Sequence, residues 1–93
     1  MAETLRVAFV VTGRVQGVGF RVAAARAATA AGLVGHVQNR ADGAVVGEAQ
    51  GARDALAGYR SWLARGPVLA RVEQLEWREV PPVGGESTFD VRR

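Results

Sequence analysis

The sequence contains no cysteine and no lysine, and its only histidine is His36. Without cysteine, the chain can form no disulfide, no thiolate metal site and no cysteine nucleophile. The apolar run near the start of the chain is too short for a signal peptide or a membrane span. We therefore expect a cytoplasmic protein that does not associate with membranes.

The remaining composition is that of an ordinary globular protein, with 48% hydrophobic and 23% charged residues. A chain of 93 residues suits a single domain, here residues 1–93, that buries about 60–65% of its unfolded surface. Twelve arginines against nine acidic residues give a net charge of +3, a modest positive field that attracts anions. The arginines are scattered along the chain and form no cluster, which does not favour binding to nucleic acid.

One stretch is rich in glycine: residues 13–21 read GRVQGVGFR. It follows the apolar run 7–11 and opens into the alanine-rich run 22–31, an order that predicts a strand, a tight turn and a helix. Glycines let the backbone curl with few side chains in the way, so successive N–H groups can point into one hollow. The first helical turn adds its own unpaired N–H groups and the positive end of its dipole. The pattern predicts an anion site, most simply a phosphate site.

Arg21 lies in the first turn of that predicted helix. A cation there faces the positive end of the dipole, which costs about 0.3–1 kcal/mol at an exposed site. Arg21 is either a solvated surface residue that tolerates this cost, or a ligand of an oxyanion that reverses its sign. A guanidinium offers a planar fork of donors to phosphate oxygens. Because the glycine loop is adjacent, we interpret Arg21 as part of the anion site.

The loop does not match the common nucleotide-binding motifs. A Walker A loop needs a lysine, which the chain lacks, and the dinucleotide pattern at Gly17 and Gly19 needs a third glycine where Val22 stands. We therefore expect neither ATP nor NAD as a ligand. Asp42, Asp54 and the glutamates of the fourth predicted strand show no paired arrangement suited to acid–base or metal chemistry, so we expect no metal site.

The rest of the pattern predicts a βαββαβ order with a short additional strand. The predicted elements are strand 5–11, helix 20–31, strand 33–39, strand 44–50, helix 52–65, strand 70–80 and strand 88–92. In the fourth strand, the alternation of inward- and outward-facing residues shifts by one between Val72 and Leu75, which predicts a bulge near Glu73 and Gln74. In the last strand, Phe89 and Val91 should face inward. Because the strands joined by the first helix should run parallel, their carboxyl ends and the start of that helix should meet at one edge.

Asn39 ends the second predicted strand, at the same edge as the glycine loop and Arg21. By the two-residue period of a strand, Asn39 shares the core face with Val37, whereas His36 faces the other way. On the residues alone, Asn39 is equally well a polar cap of the following hairpin turn or a member of the anion site. We interpret His36 as a surface residue outside the site.

These features together resemble the acylphosphatase family, and the resemblance covers nearly the whole chain. It rests on the nine-residue loop and on an ordered series of shorter matches: Gly-Leu-x-Gly at 32–35, Val-Gln-Asn at 37–39, Asp42-Gly43, Gln50-Gly51, Trp62-Leu63 and Gly66-Pro67. The resemblance implies an α+β fold, a ferredoxin-like α/β sandwich with two helices on one face of a mainly antiparallel sheet. It also implies hydrolysis of acyl phosphates (carboxyl-phosphate anhydrides) to carboxylate and inorganic phosphate, without metal or cofactor.

The resemblance further implies roles for individual residues. Arg21 would clamp the phosphate, and Asn39 would position the attacking water. The backbone N–H groups of six residues would bind the phosphoryl oxygens: Val15, Gln16, Gly17, Val18, Gly19 and Phe20. We expect a monomer that acts on a small acyl phosphate, with inorganic phosphate or sulfate as competing anions. His36 departs from the family pattern, in which an aromatic residue is usual at this position.

Two other functions stay open on the sequence. A non-catalytic anion- or RNA-binding module can share this fold, but RNA binding on the sheet needs aromatic and basic residues alternating on the central strands. The first strand offers only Phe9 and the third offers none. The chain also resembles the acylphosphatase-like domain of larger carbamoyl-transfer maturation proteins. Because the sequence ends just past the last predicted strand, we expect a free-standing enzyme.

Overall fold

The computed structural model describes residues 3–93. Within them the element order is β1 (Thr4–Arg14), α1 (Phe20–Ala30), β2 (Val34–Asn39), β3 (Val45–Ala52), α2 (Arg53–Arg65), β4 (Arg71–Val80) and β5 (Phe89–Arg92). The predicted βαββαβ order with a short fifth strand is confirmed. The observed ends of the elements lie within three residues of the predicted ones.

The five strands form one sheet in the order β4-β1-β3-β2-β5. β1 pairs antiparallel with β3 and β4, and β2 pairs antiparallel with β3 and parallel with β5. The sheet is therefore mainly antiparallel, as predicted, and both helices pack against the same face of it. Since β1 and β2 both run antiparallel to β3, they are parallel to each other. The carboxyl ends of β1 and β2 and the start of α1 thus meet at one edge of the sheet.

A β-bulge interrupts β4 where the sequence predicts one. The pairing of β1 with β4 skips Glu73, at the step between Thr12 and Gly13 of β1. Past the bulge, β1 keeps pairing with β4 as far as Arg14, which lies opposite Arg71. This continued pairing is why β1 runs three residues beyond its predicted end.

The core lies between the sheet and the two helices, and aromatic rings join the layers. The ring of Tyr59 in α2 meets that of Phe9 in β1 edge-on, with centroids 5.9 Å apart. The Tyr59 hydroxyl donates to the carbonyl oxygen of Ala24 in α1 at 3.1 Å, and burial raises its pKa above the usual range. Trp62 stacks on Tyr59 at the rim of the core, with centroids 6.3 Å apart.

Small residues let the layers approach closely. Ala24 and Ala28 in α1 are both completely buried, on the alanine face of the helix. In β3, a Cβ atom added at Gly47 would lie 2.6 Å from the ring of Phe9. Glycine at this position therefore makes room for an aromatic side chain from the neighbouring strand.

Val91 shares the inward face of β5 with Phe89 and lies opposite Val37, as expected, but its side chain is not buried. Phe89 at the start of β5 is 9% exposed, as expected, whereas Val91 is 43% exposed. β5 is an edge strand whose only neighbour in the sheet is β2. A side chain at the far end of such a strand has no neighbouring strand on its outer side to bury it.

Arg6 is the only charged residue among residues 3–93 that is buried, at 3% exposure. It lies on the face of the sheet that the helices leave open, where its Nε donates to Glu48 at 2.6 Å. Its Nη1 donates to Glu86 at 2.6 Å and to Gln50 at 3.0 Å. The Gln50 amide also exchanges two hydrogen bonds with the backbone of Val83, at 2.7 and 2.9 Å. These contacts through Val83 and Glu86 hold the segment between β4 and β5 against the open face of the sheet.

We expect Glu86→Gln to weaken the fold at neutral pH and to make its stability less sensitive to acid. The hydrogen bond from Arg6 lowers the pKa of the Glu86 carboxyl below its ordinary value of 4.5. A carboxyl whose pKa falls on folding stabilises the protein above its unfolded pKa, and this contribution is lost as the pH drops through the folded pKa. The variant should lose about 1 kcal/mol of unfolding free energy at about pH 7. The difference from wild type should shrink at about pH 3.

Urea unfolding at both pH values, followed by tryptophan fluorescence, measures this difference. Glu79→Gln is the matched control, because Glu79 is an exposed carboxylate of β4 with no ion pair in the part of the chain that the structure describes. The control should stay within about 0.5 kcal/mol of wild type. If the two variants are equally stable at neutral pH, the contact between Glu86 and Arg6 contributes nothing to the fold.

Candidate active site

The glycine loop, Arg21 and Asn39 line one cavity of about 120 Å³ at the edge where β1 and β2 end. Seven residues form the lining: Val15, Gly17, Gly19, Phe20, Arg21, Val22 and Asn39. The structure thus brings together the features that the element order places at this edge. Gln16 and Val18, also expected at the anion site, do not line the cavity.

The loop has left-handed backbone conformation at Gly17 and Gly19, each with φ of 75°. A Cβ atom at either position would have no atom within 4 Å. Glycine is therefore favoured by the backbone conformation, which L side chains avoid, and not by lack of space. Among residues 3–93, no backbone hydrogen bond outside the strands and helices has a donor in residues 15–19. Successive N–H groups in such a loop form a concavity suited to an anion.

The start of α1 adds to the positive potential of the cavity. Gly19 is the N-cap residue, and the helix has neither a capping side chain nor an acidic residue in its first turn. The first N–H groups of a helix have no partner within it, and they lie at the positive end of the dipole. The ring of Phe20 is buried in the core and fixes the first residue of the helix in place.

The side chain of Arg21 is held by the last strand. Its Nη1 donates to the backbone carbonyl oxygen of Arg92, at the end of β5, at 2.8 Å. In the described part of the chain, Arg21 has no ion pair, and this is its only hydrogen bond through the side chain. The other donors of the guanidinium can therefore serve an oxyanion in the cavity.

The amide of Asn39 has a buried oxygen without a partner. Its Oδ1 accepts no hydrogen bond from the residues that the structure describes. Leaving a buried polar atom unpaired costs about 1–3 kcal/mol, so such an atom calls for an explanation. Its backbone lies opposite Val45 of β3, which fixes the residue at the end of β2. Asn39 also lines the cavity, so this unused acceptor belongs to a residue of the candidate site.

The hairpin turn that follows Asn39 is closed without the Asn39 side chain. The N–H of Arg40 donates to the carbonyl oxygen of Ala44 at 2.8 Å. The Asp42 carboxylate accepts from the N–H of Ala44 at 3.2 Å and from the Arg40 guanidinium at 2.8 and 3.0 Å. The Arg40 guanidinium lowers the pKa of Asp42 to about 2. Of the two roles that the sequence left open for Asn39, the hairpin cap is filled by Asp42.

Gln16 and Val18 support the loop from outside the cavity. The side-chain Nε2 of Gln16 donates to the carbonyl oxygens of Arg40 at 2.8 Å and Ala44 at 3.0 Å, which ties the loop to the hairpin. Val18 packs against the core. The role of the Gln16 side chain was not predicted, because no sequence signal shows that the hairpin turn lies beside the loop.

His36 lies outside the cavity, on the opposite face of the sheet from Asn39. It is partly buried, so its interpretation as a surface residue is only partly right. Desolvation, and then the charge of Arg92, lower the pKa of its imidazole.

Within residues 3–93, no three His, Asp or Glu side chains are grouped so that they could hold a metal ion. None of the described helices has the length and apolar character needed to cross a membrane.

We expect Gly19→Ala to destabilise the protein by about 1–2 kcal/mol, because alanine is strained in the left-handed conformation. Gly84→Ala is the matched control, since Gly84 has open space around it and no left-handed φ. The control should change the free energy of unfolding by no more than about 0.5 kcal/mol. Urea unfolding compares the two variants. Equal stabilities would mean that the loop does not require left-handed backbone at this residue.

Comparison with known proteins identifies the family of the chain. A family model described as Acylphosphatase matches residues 7–91. The chain is 41% identical over 92 residues to an acylphosphatase of Anaeromyxobacter dehalogenans, with 99% of each chain covered. Its structure is similar to acylphosphatases from Bacillus subtilis (TM-score 0.91, 32% identity, 96% of this chain and 99% of that one) and Coxiella burnetii (TM-score 0.90, 36% identity, 96% and 93%). These neighbours confirm the ferredoxin-like α/β sandwich, and the chain belongs to the acylphosphatase family.

Proposed function

We propose that this protein hydrolyses acyl phosphates to a carboxylate and inorganic phosphate in the cavity beside α1. One observation carries the proposal: Arg21, Asn39 and loop residues whose N–H groups have no backbone partner in the described chain line the same small cavity, and the Oδ1 of Asn39 is buried without a partner. The N–H groups and the guanidinium are donors for phosphoryl oxygens, and the amide oxygen is an acceptor for water. Membership of the acylphosphatase family supports the same reaction.

The phosphoryl group would bind to backbone N–H groups of the loop residues that line the cavity, namely Val15, Gly17, Gly19 and Phe20. Three sources of positive potential act there together: the curled loop, the start of α1 and the Arg21 guanidinium. The bond from Arg21 to the Arg92 carbonyl holds the guanidinium in one orientation before substrate arrives. Preorganised donors of this kind stabilise the charge that develops on the phosphoryl oxygens in the transition state.

Asn39 would hold the attacking water. Its Oδ1 accepts a hydrogen bond from the water, which leaves a lone pair of the water oxygen free to face phosphorus. Phosphoryl transfer needs the attacking and leaving oxygens roughly in line. Since Asn39 is fixed at the end of β2, it places the water on one side of the phosphoryl group and the leaving oxygen on the other.

The chemical step needs neither a general acid nor a side-chain base. The water oxygen forms a bond to phosphorus, the bond between phosphorus and the acyl oxygen breaks, and the carboxylate leaves with the electron pair. The conjugate acid of a carboxylate has a pKa near ~4, so this group leaves without protonation. No carboxylate or imidazole lines the cavity, so the proton of the water passes to a phosphoryl oxygen of the substrate.

The structure offers little support for the alternative of an RNA-binding module. The one aromatic residue of β1, Phe9, is 1% exposed and packs against the helices. The open face of β1 and β3 presents side chains such as Val10, Val46 and Glu48. Base stacking on a sheet needs exposed aromatic rings at these central positions.

We further propose that the protein works as a monomer in the cytoplasm and that inorganic phosphate or sulfate competes with the substrate. Competition is supported by the donor set, which recognises a tetrahedral oxyanion and makes no contact specific to the acyl group.

We expect Arg21→Ala and Asn39→Ala each to lower kcat for benzoyl phosphate by about 10²–10³-fold, the usual effect of losing one transition-state contact. Arg21→Ala should also weaken competitive inhibition by inorganic phosphate, because the guanidinium binds the phosphate itself. Asn39→Ala should leave that inhibition nearly unchanged, because the amide contacts the water. Steady-state hydrolysis in the presence of EDTA measures both effects.

Each variant has a matched control: Arg78→Ala for Arg21→Ala, and Gln38→Ala for Asn39→Ala. Arg78→Ala removes an exposed arginine of β4, and Gln38→Ala removes the neighbour of Asn39 that points to the other face of the sheet. Both should keep at least about half of the wild-type kcat, as surface changes usually do. Full activity of Asn39→Ala would refute the water-holding role, and loss of wild-type activity in EDTA would refute a metal-free reaction.

A further inference from the structure

An exposed apolar surface adjoins the active-site cavity. We call it the apolar shelf, and it consists of Val22, Ala23, Ala27, Trp62, Pro67 and Val68. It borders an open space of about 610 Å³ between the outer side of α1 and the segment that follows α2. Val22 is 50% exposed and Val68 99% exposed. Contiguous exposed apolar side chains in a groove are a common mark of a ligand-binding surface.

The apolar shelf is continuous with the cavity that would bind phosphate. Gly19 and Val22 line both spaces. A substrate whose phosphoryl group lies in the cavity can therefore extend directly over the shelf. The groove on the open face of the sheet, with Glu48 and Arg78 in its lining, shares no lining residue with the cavity.

The direction of the reaction also points toward the apolar shelf. Asn39 lines the cavity but not the shelf. If Asn39 holds the water, an in-line displacement sends the leaving oxygen to the side away from Asn39. The acyl group that carries this oxygen is then directed away from Asn39, and the shelf is an adjoining surface that Asn39 does not line.

We propose that the apolar shelf binds the acyl group of the substrate, so that the enzyme selects acyl phosphates with an apolar chain or ring over acetyl phosphate. This inference rests on the proposed function and adds the class of substrate to it. The chemistry of the lining supports it, because Arg26 is the only charged residue that borders the space and no carboxylate does. Apolar groups gain from leaving water, whereas a small acetyl group reaches little of the surface.

A series of straight-chain substrates tests the proposal. Acetyl, butyryl and hexanoyl phosphate are chemically alike at the reacting carbonyl and differ only in apolar length. Full burial of one methylene raises kcat/KM by about fourfold. Because the apolar shelf is open to solvent on one side, we expect kcat/KM to rise by about 10-fold in total from acetyl to hexanoyl phosphate.

Val68→Ser and Val83→Ser form a matched pair. Both valines are exposed and lie in segments outside the helices and strands, but Val83 is near the opposite end of the sheet, against Gln50. Val68→Ser should reduce the ratio of kcat/KM for hexanoyl over acetyl phosphate by about threefold. Val83→Ser should leave this ratio and the activity as in wild type.

The outcomes separate the two proposals. If the wild type hydrolyses all three substrates with the same kcat/KM, the acyl-binding role of the apolar shelf is overturned, but the proposed function is not. An equal fall in the ratio for Val68→Ser and Val83→Ser also overturns that role. If the wild type hydrolyses none of the three acyl phosphates, the proposed function itself fails.

Discussion

The cavity lined by the glycine loop, Arg21 and Asn39 depends on the parallel arrangement of β1 and β2. The chain leaves β1 through the glycine loop, passes through α1, and returns in β2 on the other side of β3. The two strands therefore end at the same edge of the sheet. The loop N–H groups come from the first strand end, Asn39 from the second, and Arg21 from the start of the helix between them. Backbone geometry brings these groups to one edge, and side-chain contacts then hold them: Gln16 ties the loop to the hairpin and Arg21 bonds to the Arg92 carbonyl.

Residues of β1 contribute to the core and to the open face of the sheet, and the strand leads into the glycine loop of the candidate site. Its residues Val7, Phe9 and Val11 are buried beneath the helices, while Arg6 is buried on the other face. Arg6 is paired with carboxylates of β3 and of the segment that crosses the open face. This ion cluster lies toward the end of the sheet opposite the glycine loop. This cluster and the candidate anion site are thus separated along the same strand, and Glu48 and Glu86 lie away from the site.

Local pattern predicts most of this fold, because strand and helix periods and the bulge near Glu73 depend on neighbours in sequence. The meeting of the loop with Asn39 also follows from element order alone. The exposure of Val91 could not be predicted, since it requires knowing that β5 is an edge strand. The burial of Arg6 depends on a distant segment folding over it. The hydrogen bond from Arg21 uses a backbone carbonyl, which every residue has, so no sequence signal marks Arg92 as its partner.

That same bond links the Arg21 guanidinium to β5, the shortest strand of the sheet. β5 has four residues and a single neighbour, β2. Proteins open locally before they unfold globally, and short edge strands belong to the least protected segments. Fraying of β5 would release Arg21 while the helices and the four remaining strands stay assembled. Under the proposed function, loss of the Arg21 contact and global denaturation would then be separate transitions.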